Sequence, residues 1–596
     1  MGRMSESIER LRSNERQWQA FKAEGHCIVL APPGSGKTEV LTTRMAWDLL
    51  HCVPVPRGVA CVTLTVAAAE ELRTRVDRLQ TFRRPNVFIG TAHSFVLNEI
   101  ILPFAAVVGR EDLAEITIVD QDTGDSMLRS IIYDVYSQYE DIRYISSTVA
   151  INRRRLATDE VWDRHGPRMK IIAERYVETL RAQGLIDFTE LVRSAVEMVE
   201  QSVLVRQALN AKFPRLYVDE YQDLEPGLDR LVRALCLRDD AGSQLFAVGD
   251  PDQAIYGFLG TTPELLRDLA KHPDTDTVTL ERNYRCGRQI ISMADTFKES
   301  DSIVVGHRPG GNAMARHCPN GFEEQCSAAA DWIKQVSQDY QLHEIGVVCP
   351  THELCEQVTE ALRDNEIPVF YRRKDDYQPR RTTLFIEACA AWICFGKETS
   401  HYRLADLLRT WRYILGESWT ANSDTDLVSL LLDYASRQPS PLAAHFVDAL
   451  TKIGLGRALL RQSMKFDLPE VSKLVTGLRN RDIGQGLLID LADRARLTDR
   501  VEVRTNTACK GLEFDALAIL GMDEGRVPHF SAKKSPEQMR EERRKFYVAL
   551  TRARHRIFLA YSGFYSWPSG DINRAGPSRF LDELHLIDDT DHYDDW

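Results

Sequence analysis

Residues 26–50 read HCIVLAPPGSGKTEVLTTRMAWDLL, an apolar run that passes through a loop of Pro, Gly and Ser into a helical pattern. Strand, loop and helix in that order set backbone amides and a helix N-terminus where an anion can sit. Within it, APPGSGKT (31–38) fits the phosphate-loop pattern, with Ala31 where glycine is commoner. Pro33, Gly34, Ser35 and Gly36 form the cradle, the two glycines letting the backbone approach phosphate oxygens with no side chain in between. Lys37 supplies a point charge to the terminal phosphates, and the Thr38 hydroxyl is suited to ligate Mg²⁺. ATP and Mg²⁺ are the expected ligands.

Outward from this loop the pattern repeats. GVACVTLTVAAAEELRTRVDRL (58–79) and NVFIGTAHSFVLNEII (86–101) each step from an apolar run to a helical one, and strands return at RLYVDE (215–220) and QLFAVGD (244–250). Such alternation predicts an α/β fold with a parallel sheet. A second α/β unit starts near residue 278 and contains EIGVVCP (344–350), VEVRTNT (501–507), ALAILG (516–521) and RIFLAYS (556–562). Between these lie two charged, helix-like stretches, about 96–190 and 376–490, that interrupt the sheets.

Composition bounds the rest. A chain of 596 residues exceeds a single core and predicts three or four domains. With 43% hydrophobic and 27% charged residues, it has the make-up of an ordinary globular protein. Neither a membrane span nor a signal-peptide pattern is found, and the twelve cysteines contain no CxxC pair, which predicts free thiols in a reducing cytoplasm. The net charge of −12 excludes general polyanion affinity but allows a local basic channel. NRRRL (152–156), YRRK (371–374) and PRRT (379–382) are candidates to line one. The tail IDDTDHYDDW (587–596) is acidic.

Chemistry concentrates at strand ends. RLYVDEYQD (215–223) places Asp219 and Glu220 at the C-terminal edge of a sheet, where ligands bind. Asp219 is suited to hold Mg²⁺, and Glu220 to orient or deprotonate an attacking water. Phosphoryl transfer also needs cations on the developing charge, and Arg285 in ERNYRC (281–286) and Arg552 in ALTRARHR (549–556) are the candidates. VGDPDQAIYGFLGT (248–261) sets one amide, Gln253, between carboxylates and two aromatics, Tyr256 and Phe258. Taken alone it reads equally as a surface turn.

Taken together, in this order, these stretches resemble the UvrD/Rep-like superfamily 1 helicases over nearly the whole chain. NERQWQA (14–20) is similar to the family's adenine-reading segment, with Gln17 as reader. VTLTVAAAEEL and GTAHSF resemble its first DNA-touching loops, which implies contacts from Thr63, Leu64, Thr91 and His93. LIDFTEL (185–191), TACKGLEFD (507–515) and RRKFYVALTRAR (543–554) complete the set. The resemblance implies that Tyr284 stacks on adenine, Glu513 contacts ribose, and Arg285 and Arg552 act as arginine fingers. It also makes Gln253 a γ-phosphate sensor joined to Tyr256 and Phe258 as base-stacking aromatics. The implied architecture is two RecA-like motor domains, 1–95 with 191–277 and 278–375 with 491–596, carrying helical insertions 96–190 and 376–490. Movement 3′ to 5′ on single-stranded or partly duplex DNA is implied too.

The chain departs from the family's pattern on the DNA side. Leu259 stands for arginine, Leu64 for phenylalanine, Val66 for asparagine and Thr507 for histidine. A competent ATPase with a weaker or altered grip on DNA is expected. FIGTAHSFVLNEIILPF (88–104) and the short second insertion resemble the helicase-like subunit of Gabija anti-phage systems. That resemblance implies a hetero-oligomer with an ATP-gated nuclease of the overcoming-lysogenization-defect type; a repair helicase and a DNA-sensing regulatory ATPase are the alternatives.

Overall fold

The computed structural model describes the chain except residues 1, 80–83, 85, 137–140, 241, 374–375, 401, 438–439, 462–463, 465, 497, 567–570 and 588–596. Lys374 of the YRRK cluster and the acidic tail from 588 onward lie outside the described residues.

The first sheet has six strands in the spatial order Phe88–Thr91, Val59–Thr63, Arg215–Val218, Gln244–Gly249, His26–Leu30 and Thr275–Thr279, every neighbour parallel. Its central strands read as unbroken apolar runs because both faces are covered. Alternate residues of one strand feed different cores: Ile28 joins Ala60, Val218 and Ala247 on one face, whereas Cys27 and Val29 join Cys61, Tyr217 and Val248 on the other. The edge strand ends at Thr279, beyond the expected boundary at 277.

The second sheet also has six strands, ordered Asn312–His317, Ala553–Tyr561, Phe514–Ile519, Ile345–Cys349, Val501–Thr505 and Val369–Phe370, again all parallel. The α/β expectation therefore holds in both units.

Both insertions have their own cores. The first packs the helices Gln121–Val135, Ile142–Arg154 and Pro167–Ala182 around Ile132, Val149, Trp162, Ile172 and Tyr176. It begins later than residue 96. Val96, Leu97, Ile100 and Ile101 form a π-helical turn that is wholly buried in the first sheet's core, so apolar burial assigns them there. A short parallel pair, Thr117–Ile118 with Leu185–Ile186, also breaks the helical expectation.

The second insertion packs its helices around Phe385, Trp411 and Phe446, and its last helix runs to Arg494, past the expected limit of 490. Its two stems are tied by charge. Arg372 and the Tyr377 hydroxyl both donate to Glu387, at 2.9 and 2.5 Å, and Arg494 donates to Asp376 at 2.8 Å. Arg372, a candidate for a DNA channel, is thus held in a structural ion pair.

All twelve cysteines are free thiols. Among the described residues no helix is long and apolar enough to cross a membrane.

Candidate active site

The phosphate loop links the strand His26–Leu30 to the helix Lys37–His51. Gly34 and Gly36 take φ of 66° and 85°, a left-handed backbone that a side chain disfavours. Space forbids a side chain there as well. A Cβ on Gly34 would lie 2.5 Å from Arg285 Cβ, and one on Gly36 would lie 2.4 Å from Gln17 Nε2. The loop is therefore gripped from both sides by residues that the sequence assigns to nucleotide binding.

Asn14 caps the helix Glu15–Lys22 and donates to the Tyr284 hydroxyl at 2.8 Å, while Gln17 Nε2 donates to the Ser35 carbonyl at 2.8 Å. From the second domain, Asn283 Nδ2 donates to the Pro33 carbonyl at 2.6 Å and the Tyr284 amide to the Gly34 carbonyl at 2.8 Å. Gln17, Tyr284 and the loop thus converge although 267 positions of sequence separate the first two.

Lys37 Nζ donates to Glu220 Oε1 at 2.7 Å. Burial opposes charge on both groups, but each holds the other ionised: the Lys37 ammonium is raised, and Glu220 is held at about 2 by Lys37 and Lys510 against its burial. Asp219 has no such partner. Burial first, then the charge of Glu220, push its carboxyl up, and its Oδ1 is buried without a hydrogen bond. An uncompensated, buried acceptor one residue from the Lys37–Glu220 pair is a site that fits a divalent cation. Asp250, raised by burial and by Asp252, lies beside it in the electrostatics of Lys37.

Gln253 is buried. Its Nε2 donates to Asp250 Oδ2 at 2.7 Å, and its Oε1 accepts from Arg552 at 3.2 Å. Arg552 is itself among the largest fully buried side chains, and its guanidinium is lowered to about 10 by burial and then by Arg285. Two arginines pressed together in a dry cleft are a preorganised place for an anion. Arg285 pairs with Glu513, donates to the Thr551 carbonyl at 3.2 Å, and keeps its Nε buried without a partner. Glu513 also accepts from Arg554 at 2.9 Å, so the residue implied for ribose is here a counter-ion to two arginines.

One residue given no role in the sequence reading is central to the site. Lys510 Nζ donates to Asp223 Oδ2 at 2.5 Å and to the Gln253 carbonyl at 2.6 Å, and lies 5.3 Å from the Tyr256 ring. Its signal was its position in TACKGLEFD. Arg544 was passed over as well; it donates to the Ala254 carbonyl at 2.7 Å and to Glu299 at 2.6 Å.

The residues assigned to DNA are not gathered in the same way. Phe258 is exposed, at 54%, and lines a cleft of about 1170 Å³ together with Thr507 and Phe530. Tyr256 meets Phe258 edge-on at 6.0 Å but is half-buried under Lys510. Thr63 is buried with its hydroxyl unpartnered, Leu64 is half-buried, and the Thr91 hydroxyl caps a helix by accepting from the Ser94 amide. His93 packs edge-on against Phe188 at 5.0 Å.

Comparison with known proteins accords with this geometry. Residues 13–274 match the UvrD/REP helicase N-terminal domain and residues 465–563 the UvrD-like helicase C-terminal domain, together well over half of the chain. The ATP-dependent DNA helicase UvrD1 of Mycobacterium tuberculosis is 26% identical, aligned over 96% of this chain and 85% of its own. The ATP-dependent DNA helicase PcrA of Staphylococcus aureus is 24% identical, over 96% and 86%.

Proposed function

The chain belongs to the UvrD-like ATP-dependent DNA helicases, and from that premise we propose that it hydrolyses ATP in the seam between its two parallel sheets and uses the cycle to move on single-stranded DNA, 3′ to 5′. The observation that carries this is the seam itself. Gln253 of the first domain accepts from Arg552 and, through its carbonyl, from Lys510 of the second, and Glu220, paired with Lys37, lies in the charge field of Lys510 and Arg552.

In this reading Gly34, Ser35, Gly36 and Lys37 hold the phosphates, Gln17 and Tyr284 the base, and Glu513 the ribose. Glu220, ionised at neutral pH, orients the attacking water and accepts its proton; a terminal phosphate competes with it for Lys37. Arg285 and Arg552 neutralise the charge that develops on the transferred group. Thr38 and Asp219 would hold Mg²⁺, whose charge would offset that of the phosphates and suit the unpaired Asp219 oxygen. Coupling runs through Gln253: its side chain senses the nucleotide, and its carbonyl is bound by Lys510, which lies near Tyr256, next to Phe258 in the open cleft.

A separate nuclease partner and an anti-phage role would rest on the stretch 88–104 and on the short second insertion. Much of the stretch 88–104 that suggested them is the buried core of the first sheet, where residues answer to packing rather than to a partner.

The test is steady-state phosphate release with and without single-stranded DNA for the wild type, Lys37→Ala and Gln253→Ala. Strong stimulation by DNA, lost by at least about 100-fold in Lys37→Ala and uncoupled from DNA in Gln253→Ala, is expected. A wild-type rate indifferent to DNA overturns the motor reading and favours a regulatory ATPase.

A further inference from the structure

The turn that carries Gln253 is held from two directions. Lys510 and Arg552 grip Gln253 itself from the seam. Its two chain neighbours are held from behind. Asp252 is 1% exposed, and residues 299 and 300 enclose its carboxylate with donors. Its Oδ1 accepts from the Glu299 amide at 3.0 Å and the Ser300 amide at 3.2 Å, and its Oδ2 from the Ser300 hydroxyl at 2.5 Å. On the other side of Gln253, the Ala254 carbonyl accepts from Arg544 Nε at 2.7 Å. Arg544 is 7% exposed, and it also donates to Glu299 at 2.6 Å. Asp252 and Ala254 are thus bound to the same short segment, one directly and the other through Arg544.

That segment continues from the nucleotide side of the second domain. The strand Arg282–Gly287 carries Tyr284 and Arg285 and runs into the helix Arg288–Asp295, and residues 299 and 300 follow. Between them Phe297 packs edge-on against Phe546, at 4.8 Å, on the helix Pro536–Leu550 that also carries Arg544. Inside the turn, the Asp252 amide donates to Asp250 Oδ1 at 3.0 Å, and Asp250 Oδ2 accepts from Gln253 Nε2 at 2.7 Å. A chain of hydrogen bonds therefore runs from Ser300 through Asp252 and Asp250 to the Gln253 amide. Burying a carboxylate is costly, and one held by donors on both oxygens fixes the geometry around it.

We propose that Asp252 and Arg544 are positioning residues for Gln253. They bind the turn to residues 299 and 300, so that Gln253 moves with the strand of Tyr284 and Arg285, and hydrolysis answers to DNA only while that link is kept. The proposal rests on the reading of Gln253 as the coupling residue of a motor on single-stranded DNA, and adds the groups that hold it in place. Ala254 leads on to Tyr256 and Phe258, so a turn released from residues 299 and 300 lets the aromatics shift without moving Gln253.

The test uses the full chain, with steady-state phosphate release measured against ATP at zero and at saturating oligothymidylate, and oligothymidylate binding followed by anisotropy. Asp252→Asn sets a donor against donors and is expected to lower the DNA-stimulated maximal rate by about tenfold, with KM for ATP and affinity for the oligonucleotide within about twofold of the wild type. Ser300→Ala removes one donor and leaves the carboxylate in place; a loss of about threefold is expected, which guards against a folding defect in Asp252→Asn. Arg544→Lys keeps the charge but loses the planar fork that serves Ala254 and Glu299 together, and a loss of about threefold is expected again. Asp252→Asn added to Gln253→Ala is expected to cost nothing beyond Gln253→Ala alone, because Asp252 acts through Gln253. Additive losses in that pair, or a change in KM or binding with the maximal rate intact, would mean that Asp252 only supports the fold; the positioning role is then wrong and the motor reading stands. If the wild-type rate ignores DNA, the motor reading itself fails and the positioning role with it.

Discussion

The seam proposed for ATP and the face proposed for nucleic acid lie on the same two domains and are built on opposite principles. In the seam, charge is dense, buried and paired across the domain boundary, so that Lys510 meets Asp223 and Arg552 meets Gln253. On the nucleic-acid face, aromatics stand partly exposed and charge is mixed: five lysine or arginine side chains and six glutamates line the cleft at Phe258. The seam demands fixed geometry because phosphoryl transfer rewards preorganisation. In the proposed function the face must release each nucleotide it holds, and stacking that accepts any base serves that need. The two also differ in tolerance, which explains why all the departures from the family's pattern weighed above lie on the face or the coupling loop.

The sharpest way to break this contrast is through Lys510. Lys510→Ala leaves Asp223 buried without its ion-pair partner, and the expected loss of stability is about 3–5 kcal/mol by denaturant unfolding. The double change Asp223→Asn with Lys510→Met is expected to restore most of that stability but not the stimulation of hydrolysis by DNA. If stimulation returns as well, Lys510 is structural only and the seam is less integrated than its geometry indicates. Next in size is Phe258→Ala, which removes an exposed platform and is expected to weaken binding of single-stranded DNA by about 1–3 kcal/mol with stability unchanged.

A smaller effect separates the seam's chemistry from its stability. The Asp219 carboxyl is pushed up to about 7 by burial and then by Glu220. A raised carboxyl pKa means that the folded state holds the proton more tightly than the unfolded one. That contribution to stability is complete below roughly pH 4 and is lost as pH rises toward the folded value. Asp219→Asn carries no such loss. Its melting temperature relative to the wild type is expected to be about 2–4 °C more favourable at pH 8 than at pH 5, while hydrolysis collapses. An equal difference at both values would show that Asp219 is not strained by its neighbours.

The parts of the seam are legible in the sequence because they are local. The phosphate loop needs glycines at fixed places, and a carboxylate pair at a strand end is legible wherever a β-run stops at Asp219 and Glu220. The two parallel sheets were legible for the same reason, through apolar runs that alternate with helical ones. What escaped was set by tertiary contact. Val96 to Ile101 read as the start of an insertion because helical periodicity does not say which core a helix joins. Phe466 lies in an unremarkable stretch, MKFDLPE (464–470), and nothing local marks it as a partner of Phe188. The basic clusters show the limit most clearly. Arg153 donates to Asp187 at 2.6 Å, Arg372 pairs with Glu387, Arg381 pairs with Glu70, and Arg155 alone of NRRRL lines the cleft at Phe258.

Arg155 supplies the finest test of the contrast, because it asks how much of the grip on DNA is ionic. Of the cleft's cations, Arg526 lies 3.5 Å from Asp523, Arg540 pairs with Glu537, Arg544 with Glu299, and Lys545 with Glu542. Arg155 is exposed and, among the described residues, makes no ion pair. A paired cation has already lost much of its pull on a phosphate, since binding DNA would require it to leave its carboxylate. Each phosphate neutralised on a single strand adds about −0.7 to the slope of log affinity against log salt. The wild type is therefore expected to show a shallow slope, between about −1 and −2, and Arg155→Ala a slope reduced by about 0.7. A steep wild-type slope untouched by Arg155→Ala would mean that the paired arginines exchange their carboxylates for phosphates on binding. The face would then be an electrostatic groove held closed by its own glutamates, and the difference between the two regions would be one of state rather than of construction.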